Sequence, residues 1–496
     1  EILLHNNTTK RASALFPFWI NDSSNTIIVF QNYWKWKRNV DVKMNIRICS
    51  EKGEILYSRE NQNIVSYHNE ISVRKILHET NTKKLTGTIE IEIISYTKNI
   101  VYPFPALTAF YTNGKGEYSC THSAGRTLSI EESLEEENFY ETNFNCKFNE
   151  NFTPFIHLFT GINSSLRNIS LSIYNLDEDF YEEFKVENMK NDYQSKVIYL
   201  KKIISENLYN KIINTEFFVK IKGQAKGIYP RFIVGNYSKV NNMHYCTHSY
   251  RQIVSADVIQ SDNKLSYASS IALPALPNAK LKWKIYPTLG NENSIKILKK
   301  NDVKFNENIY EVDGSEASFF DNSKNFNNVE TGLVNEGNII AIFTDNDSGV
   351  PARINCALEY FSHRSHHSTD IALQLMTIQA RKKDNFWGHF LRTSKYKSYL
   401  LVSNILPSQN NEDCKFEIQK FSDNLNIVGI KKYNIKAGTS LCIDLHKECK
   451  FLFEDQDDDK SEFISWRGEV KKGQIQDIYQ ISLDNESGNI LGDHSF

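Results

Sequence analysis

The sequence lacks the features that mark membrane and nucleic-acid-binding proteins. No stretch approaches the roughly 18 consecutive apolar residues of a membrane-spanning helix. The 58 Lys and Arg residues are balanced by 60 Asp and Glu residues, giving a net charge of −2 over 496 residues. A chain so nearly neutral has no overall field to attract nucleic-acid phosphates or anionic lipids. We therefore expect no nucleic-acid partner and no membrane span.

Cysteine is also scarce, with eight residues in the chain and no C-x-x-C pair. A dense disulfide scaffold and a cysteine zinc site are therefore not indicated. The spacing favours buried free thiols in a reducing compartment, which slightly favours the cytoplasm. The sequence does not otherwise fix the compartment.

The common catalytic motifs are missing. The sequence contains no G-x-S-x-G nucleophile elbow, no G-x-x-x-x-G-K-[ST] phosphate loop, no G-x-G-x-x-G after a strand and no H-E-x-x-H zinc motif. An enzyme is not excluded by this, but a non-enzymatic protein is favoured. No cofactor is expected, with the one zinc alternative described below.

What the sequence does contain is a fourfold internal repeat. Two segments end in an identical Cys-Thr-His-Ser, and two more carry a His-Ser pair near their ends. The intervals between the four histidines are 126, 119 and 127 residues, although only 13 residues of the chain are histidine. Such regularity indicates tandem units of about 120 residues. The pairs are His122-Ser123, His248-Ser249, His367-Ser368 and His494-Ser495.

Each unit consists of short segments that alternate apolar and polar residues, separated by turn signals such as Lys52-Gly53 and Asn113-Gly114. Alternation with period two predicts half-buried strands. The sequence therefore predicts an all-β chain of four tandem antiparallel β-sandwich domains. The predicted boundaries are 1–130, 131–260, 261–380 and 381–496.

The order of strands in each unit, with a last strand ending near His-Ser, resembles the small bacterial β-sandwich family of the sensory rhodopsin transducer. The resemblance applies to each unit separately and transfers no functional residue. It implies an architecture like that of carbohydrate-binding sandwiches, and fourfold oligomers of single domains. Four units in one chain are thus compatible with a covalent pseudo-tetramer of pseudo-fourfold symmetry, and equally with an extended string of domains.

The repeated corner is the first candidate binding site. Imidazole and hydroxyl groups from each unit could bind a polar ligand, with arginine guanidinium groups as forked donors for a carboxylate or sugar hydroxyls. The alternative is a structural corner in which His and Ser satisfy backbone groups at a strand end. The candidate residues are His122, Ser123, Arg126, His248, Ser249, Arg251, His367, Ser368, His494 and Ser495.

Two further candidates come from histidine and aromatic clusters. His363, His366 and His367 are close enough in sequence to supply three ligands to Zn²⁺. One aromatic cluster lies at Trp19, Tyr33, Trp34 and Trp36, and a second at Tyr102, Phe104, Phe110 and Tyr111. Such rings can stack on sugars, although filling a sandwich core is their commoner use.

These observations favour a non-enzymatic binding or scaffolding protein, because repeated domains convert weak contacts into avidity. A glycan or a protein is the expected partner. The alternatives are a metal-dependent hydrolase or carbohydrate-active enzyme centred on the histidine cluster, and a structural subunit of a larger assembly. The oligomeric state is not determined by the sequence.

Overall fold

The fold is taken from a computed structural model of the chain. It describes residues 10–78, 85–100, 104–122, 125–129, 132, 135–143, 146–175, 180–215, 217–251, 258–259, 265–273, 276–285, 294–300, 308–313, 318–321, 338–345, 350–351, 353–362, 368–376, 384–404, 412–436, 439–454, 463–473, 475 and 478–496.

The described strands form eight antiparallel sheets of four or five strands, which follow one another along the chain as four sheet pairs. The first pair has sheets ordered β1-β6-β3-β4 and β5-β2-β7-β8 and carries two short helices. Its elements are β1 (Arg11–Ile20), β2 (Asn25–Gln31), α1 (Tyr33–Arg38), β3 (Lys43–Ser50), β4 (Ile55–Asn63), β5 (His68–Ser72), α2 (Val73–His78), β6 (Leu85–Ile94), β7 (Leu107–Thr112) and β8 (Tyr118–His122).

The second pair has sheets ordered β13-β12-β15-β10-β19 and β14-β11-β17-β18, and a two-stranded ladder joins β9 to β16. A 3-10 turn at Leu200–Lys202 precedes its helix. The elements are β9 (Arg126–Thr127), β10 (Glu137–Asn143), β11 (Phe152–Phe159), β12 (Ser165–Asn175), β13 (Phe180–Lys185), β14 (Ser195–Tyr199), α3 (Glu206–Ile212), β15 (Phe217–Lys226), β16 (Ile228–Tyr229), β17 (Ile233–Ser238), β18 (Met243–His248) and β19 (Tyr250–Arg251).

The third pair has sheets ordered β21-β26-β23-β24 and β25-β22-β28-β29, with a ladder between β20 and β27. The elements are β20 (Val258–Ile259), β21 (Leu265–Leu273), β22 (Ala279–Ile285), β23 (Ser294–Lys300), β24 (Asn308–Asp313), β25 (Ser318–Asp321), β26 (Asn338–Asp345), β27 (Val350–Pro351), β28 (Arg353–Ser362) and β29 (Ser368–Met376).

The fourth pair has sheets ordered β30-β35-β32-β33 and β34-β31-β36-β37. A 3-10 turn at Lys450–Leu452 follows its helix. The elements are β30 (Asn385–Leu391), β31 (Tyr396–Asn404), β32 (Cys414–Phe421), β33 (Ile427–Ile435), β34 (Thr439–Asp444), α4 (Leu445–Glu448), β35 (Phe463–Lys472), β36 (Ile478–Asp484) and β37 (Ile490–His494).

One strand order therefore recurs four times. When the two-residue strands are set aside, the first, sixth, third and fourth strands of every pair form one sheet, and the fifth, second, seventh and eighth form the other. The all-β prediction is confirmed, and the strands of the eight large sheets follow one another along the chain in four groups. The chain itself divides into two compact units, residues 1–251 and 252–496. Four separate domains remain a prediction.

The core of the fourth pair is built from apolar positions of both its sheets. Phe416 and Trp466 from one sheet and Leu400 and Ile478 from the other belong to a single buried cluster. Burial of this apolar surface is what joins the two sheets. Seven cysteines of the described part are buried and unpaired, as predicted.

The described helices have four to seven residues, and none is long and apolar enough to cross a membrane.

Candidate functional site

A cavity of about 180 Å³ lies between the first and second sheet pairs, within the compact unit of residues 1–251. We call it the Trp19 pocket. Aromatic rings and side-chain amides make up much of its lining. Its lining residues are Trp19, Ile20, Asn21, Ser24, Asn25, Thr86, Tyr111, Thr112, Tyr199, Tyr237, Asn242, Met243 and His244.

The first sheet pair contributes the turn between β1 and β2. The side-chain carbonyl of Asn21 accepts hydrogen bonds from the backbone N–H groups of Ser23 (2.9 Å) and Ser24 (2.8 Å), a turn that Asn favours for this reason. The β7–β8 turn closes over it, because a Cβ on Gly114 (φ +72°) would lie 2.2 Å from the backbone oxygen of Ser23. Only glycine fits there. The turn is thus fixed, and the NH₂ group of Asn21 has no protein partner in the described structure.

The second sheet pair contributes the turn between β17 and β18 and the strands beside it. Asn242 adopts the left-handed conformation (φ +50°), which Asn tolerates better than most residues. Its side-chain carbonyl accepts a hydrogen bond of 2.8 Å from the Tyr237 hydroxyl. This bond orients the amide, and its NH₂ group, like that of Asn21, has no partner among the described residues.

Trp19 is held in the pocket wall by rings from both sheet pairs. Its ring stacks on His244 with centroids 4.2 Å apart and an interplanar angle of 12°. Tyr111 and Phe155 meet it edge-on at 5.1 and 5.7 Å. The indole is only 9% exposed, and its Nε1 has no hydrogen-bond partner in the described part of the chain. The indole N–H is thus a buried donor that the fold leaves unsatisfied.

Two neutral imidazoles flank the Trp19 ring. Burial lowers the pKa of His157 to about 3, and burial together with the charge of His157 lowers the pKa of His244 to about 3. His244 Nε2 shares a hydrogen bond of 2.9 Å with the Tyr199 hydroxyl. His157 is fully buried, its ring centroid lies 5.2 Å from that of Trp19, and neither of its nitrogens has a partner among the described residues. The pocket is therefore uncharged near neutral pH.

A buried ionic cluster on one side of the pocket fixes the second sheet pair on the first. Glu90 of β6 is 1% exposed and accepts hydrogen bonds from Arg47 (3.0 Å) within its own sheet. It also accepts one of 2.8 Å from the hydroxyl of Tyr193, which belongs to the second pair, and one from Thr127. A buried carboxylate is stable only with such partners. The cluster thus requires both sheet pairs.

The eighth strands of the two pairs meet at a second contact. The Ser119 hydroxyl on β8 accepts a hydrogen bond of 2.8 Å from the Cys246 backbone N–H on β18. The compact unit of residues 252–496 repeats this contact, because the Thr369 hydroxyl on β29 accepts one of 3.1 Å from the Gly492 backbone N–H on β37. The chain therefore contains the same kind of sheet-pair contact twice.

The predicted His-Ser corners lie at these contacts and do not line the pocket. His122, His248 and His494 each end an eighth strand, as predicted. The His122 and His248 rings contact each other at 4.9 Å. His248 Nδ1 bonds to the Ser249 carbonyl (2.8 Å), and His494 Nδ1 bonds to the Ser495 carbonyl (2.9 Å). This shared bond is the one expected of a structural corner.

The remaining corner residues also have structural partners. The Ser249 hydroxyl donates to Glu141 and accepts from the Phe232 backbone N–H. Burial raises the pKa of Glu141 to about 7, although the Ser249 bond and nearby arginines oppose the rise. Arg126 forms an ion pair with Glu132, and its guanidinium lies 4.8 Å from the Phe104 ring. Arg251 is exposed at the end of β19, and Ser123 lies outside the described residues.

The third corner does not occupy the same place as the others. Ser368 begins its eighth strand, β29, whereas the other three histidines end theirs. The Thr369 and Ser119 contacts are equivalent. Ala372, three residues after Thr369, therefore has the strand position that His122 has in the first pair, and Ser368 lies at the start of its strand. A binding role for the third His-Ser pair stays a prediction. His363, His366 and His367 lie outside the described residues.

The aromatic clusters divide between core and pocket. Trp34 is fully buried in α1, and its ring stacks on Tyr33 at 4.2 Å, so these two belong to the core. Trp19 and Tyr111, placed in different clusters by the sequence, come together in the pocket wall.

Most of the residues that line the pocket are not marked by any sequence motif. Tyr199, Tyr237, Asn242 and His244 are about 200 residues from Trp19 in the chain, and they reach it only because two sheet pairs pack together. His244 is two residues before the repeated Cys-Thr-His-Ser motif, which contains His248 and not His244.

No family model matches the chain, and a search of curated proteins found no match. The resemblance to the sensory rhodopsin transducer family therefore stays a prediction.

Proposed function

We propose that the protein is a non-enzymatic, glycan-binding member of the tandem β-sandwich type, and that it binds its ligand in the Trp19 pocket. The observation that carries this proposal is the composition of the lining, in which half-buried tyrosine and histidine rings adjoin side-chain amides with unused NH₂ groups. Sugar rings bind to this combination, because their C–H faces pack on aromatic rings while their hydroxyls bond to amides.

Binding is favoured over catalysis by what the lining contains. Hydrolysis of a glycoside commonly uses two carboxylates, one on each side of the scissile bond. None of the residues that line the pocket is Asp or Glu. The neutral state of His244 further removes the one imidazole that could serve as an acid near neutral pH.

The wider organisation supports the same proposal. Two sheet pairs of the tandem chain together form the walls of the Trp19 pocket, so the pocket depends on the tandem arrangement. We further propose that the chain has four sandwich domains and is located in the cytoplasm. The seven buried free thiols support a reducing compartment.

The test is a broad glycan array probed with the labelled full-length chain and two matched variants. Tyr237→Ala removes a half-buried ring from the pocket, and we expect it to lose the glycans bound by the wild type. Tyr140→Ala removes a tyrosine that is 38% exposed on β10, outside the pocket, and should bind as the wild type does.

The corner hypothesis is tested on the same array. A His122→Ala, His248→Ala double variant should retain its glycan specificity, because neither histidine lines the pocket. If this variant lost binding while Tyr237→Ala bound normally, the glycan would bind at the His-Ser corners and not in the Trp19 pocket. An array on which the wild type binds no glycan would contradict the proposed function.

A further inference from the structure

We infer that the Trp19 pocket selects an uncharged sugar ring at the end of a glycan and discriminates against acidic sugars. The inference rests on the proposed function and specifies its ligand. It is derived from three properties of the pocket: its volume, its lack of charge and its unused donors.

The volume limits the ligand to about one ring. Pockets for drug-sized ligands span roughly 300–1,000 Å³, whereas this one has about 180 Å³. A cavity this much smaller is suited to about one ring. A glycan longer than one ring must then extend out of the pocket, so the ring inside it is a chain end.

The lining disfavours a carboxylate. None of the lining residues is Asp, Glu, Lys or Arg, and His244 is neutral. Moving a carboxylate from water into such a site costs more than moving a hydroxyl, because no cation compensates the lost hydration. Two cations lie close to the lining residues without lining the pocket themselves. Lys202 is exposed and contacts the Tyr199 ring at 5.1 Å, and the Arg74 guanidinium donates to the Ser23 carbonyl at 3.0 Å.

The unused hydrogen-bonding groups suit hydroxyl oxygens. The NH₂ groups of Asn21 and Asn242 have no partners among the described residues, and both are donors. Sugar hydroxyls can accept from each of them. The Nε1 of Trp19 also lacks a partner among the described residues but is buried, so Trp19 contributes its ring, and not its N–H, to the pocket wall.

The experiment compares matched sugars that differ only at C6. Full-length protein is titrated calorimetrically with methyl glycosides of neutral hexoses and with the corresponding methyl uronosides. We expect at least one neutral glycoside to bind, and its uronoside to bind at least about tenfold more weakly. Trp19→Phe replaces the indole of the pocket wall by a smaller ring and should weaken the neutral glycoside about three- to tenfold. Asn242→Gly, which tolerates the left-handed backbone, should weaken it similarly.

Lys202→Gln is the control and should leave the neutral glycoside affinity unchanged. Tighter binding of the uronosides, lost in Lys202→Gln, would overturn the inference while the glycan-binding function stands. Unchanged affinity in both Trp19→Phe and Asn242→Gly would overturn the assigned contacts. Failure of every neutral and acidic sugar to bind would overturn the proposed function itself.

Discussion

At the scale of single residues, the most unusual feature is a buried histidine with no hydrogen bond. His157 is fully buried in β11, and both ring nitrogens lack partners among the described residues. Burying a polar group without a partner opposes folding. The imidazole therefore takes up a proton in the fold only near pH 3, whereas an unfolded chain does so near pH 6.5.

The first prediction concerns pH. Between about pH 6.5 and pH 3 the unfolded chain binds more protons than the fold at His157, so the free energy of unfolding falls as the pH falls. His157→Phe removes this contribution. We expect the variant to be about 1 kcal/mol more stable than the wild type at pH 7, and the difference to grow by up to about 1.4 kcal/mol for each pH unit below pH 6.

Urea unfolding at a series of pH values measures this difference. Glu141 titrates in the opposite sense, because its raised pKa makes the fold bind the extra proton, so only the difference between variant and wild type isolates His157. His157→Leu introduces a smaller apolar side chain than His157→Phe does. Comparing the two variants shows whether side-chain volume, and not loss of the imidazole, changes the stability. Parallel stability profiles for wild type and both variants would show that the His157 environment is polar.

At the scale of elements, a sheet pair is stabilised by its own core but oriented by polar contacts with its neighbour. The all-β class, and turns at residues such as Gly53 and Gly114, could be predicted from alternation and from turn residues, because these signals are local. The order of strands in the sheets could not, because it joins segments far apart in the chain. The contact between β8 and β18 could not either, because it joins a serine hydroxyl to a backbone N–H 127 residues away.

The second prediction tests the ionic cluster between the first two sheet pairs. Tyr193→Phe removes the hydroxyl that donates to the buried carboxylate of Glu90. We expect a loss of about 1.5–3 kcal/mol in the free energy of unfolding, the range for a hydrogen bond to a charged group. Tyr140→Phe, at a position 38% exposed, should change stability by less than about 0.5 kcal/mol.

Urea unfolding followed by far-UV circular dichroism is a suitable measurement. Equal stability of the Tyr193→Phe and Tyr140→Phe variants would mean that Glu90 is adequately partnered by arginine alone. It would then be wrong to treat the contact between the two sheet pairs as part of the scaffold of the pocket.

At the scale of the whole molecule, the chain repeats one strand order four times and groups it into two compact units. Repetition was visible in the sequence because it leaves the same pattern at regular intervals. The pocket was not, because it is formed within residues 1–251 by turns and strands from two repeats. The proposed function therefore depends on residues outside the repeated His-Ser motif.

The central claim, that ligand binds in the Trp19 pocket, can be tested directly with the four methionines of the chain. Met243 lines the pocket, and Met44 and Met189 do not. With ¹³C-methyl-labelled methionine, and the Met243 signal assigned from Met243→Leu, the best neutral glycan from the array is titrated into full-length protein. The account predicts a saturable shift of the Met243 methyl resonance alone. A bound glycan that leaves Met243 unchanged, or shifts another methionine instead, would contradict it.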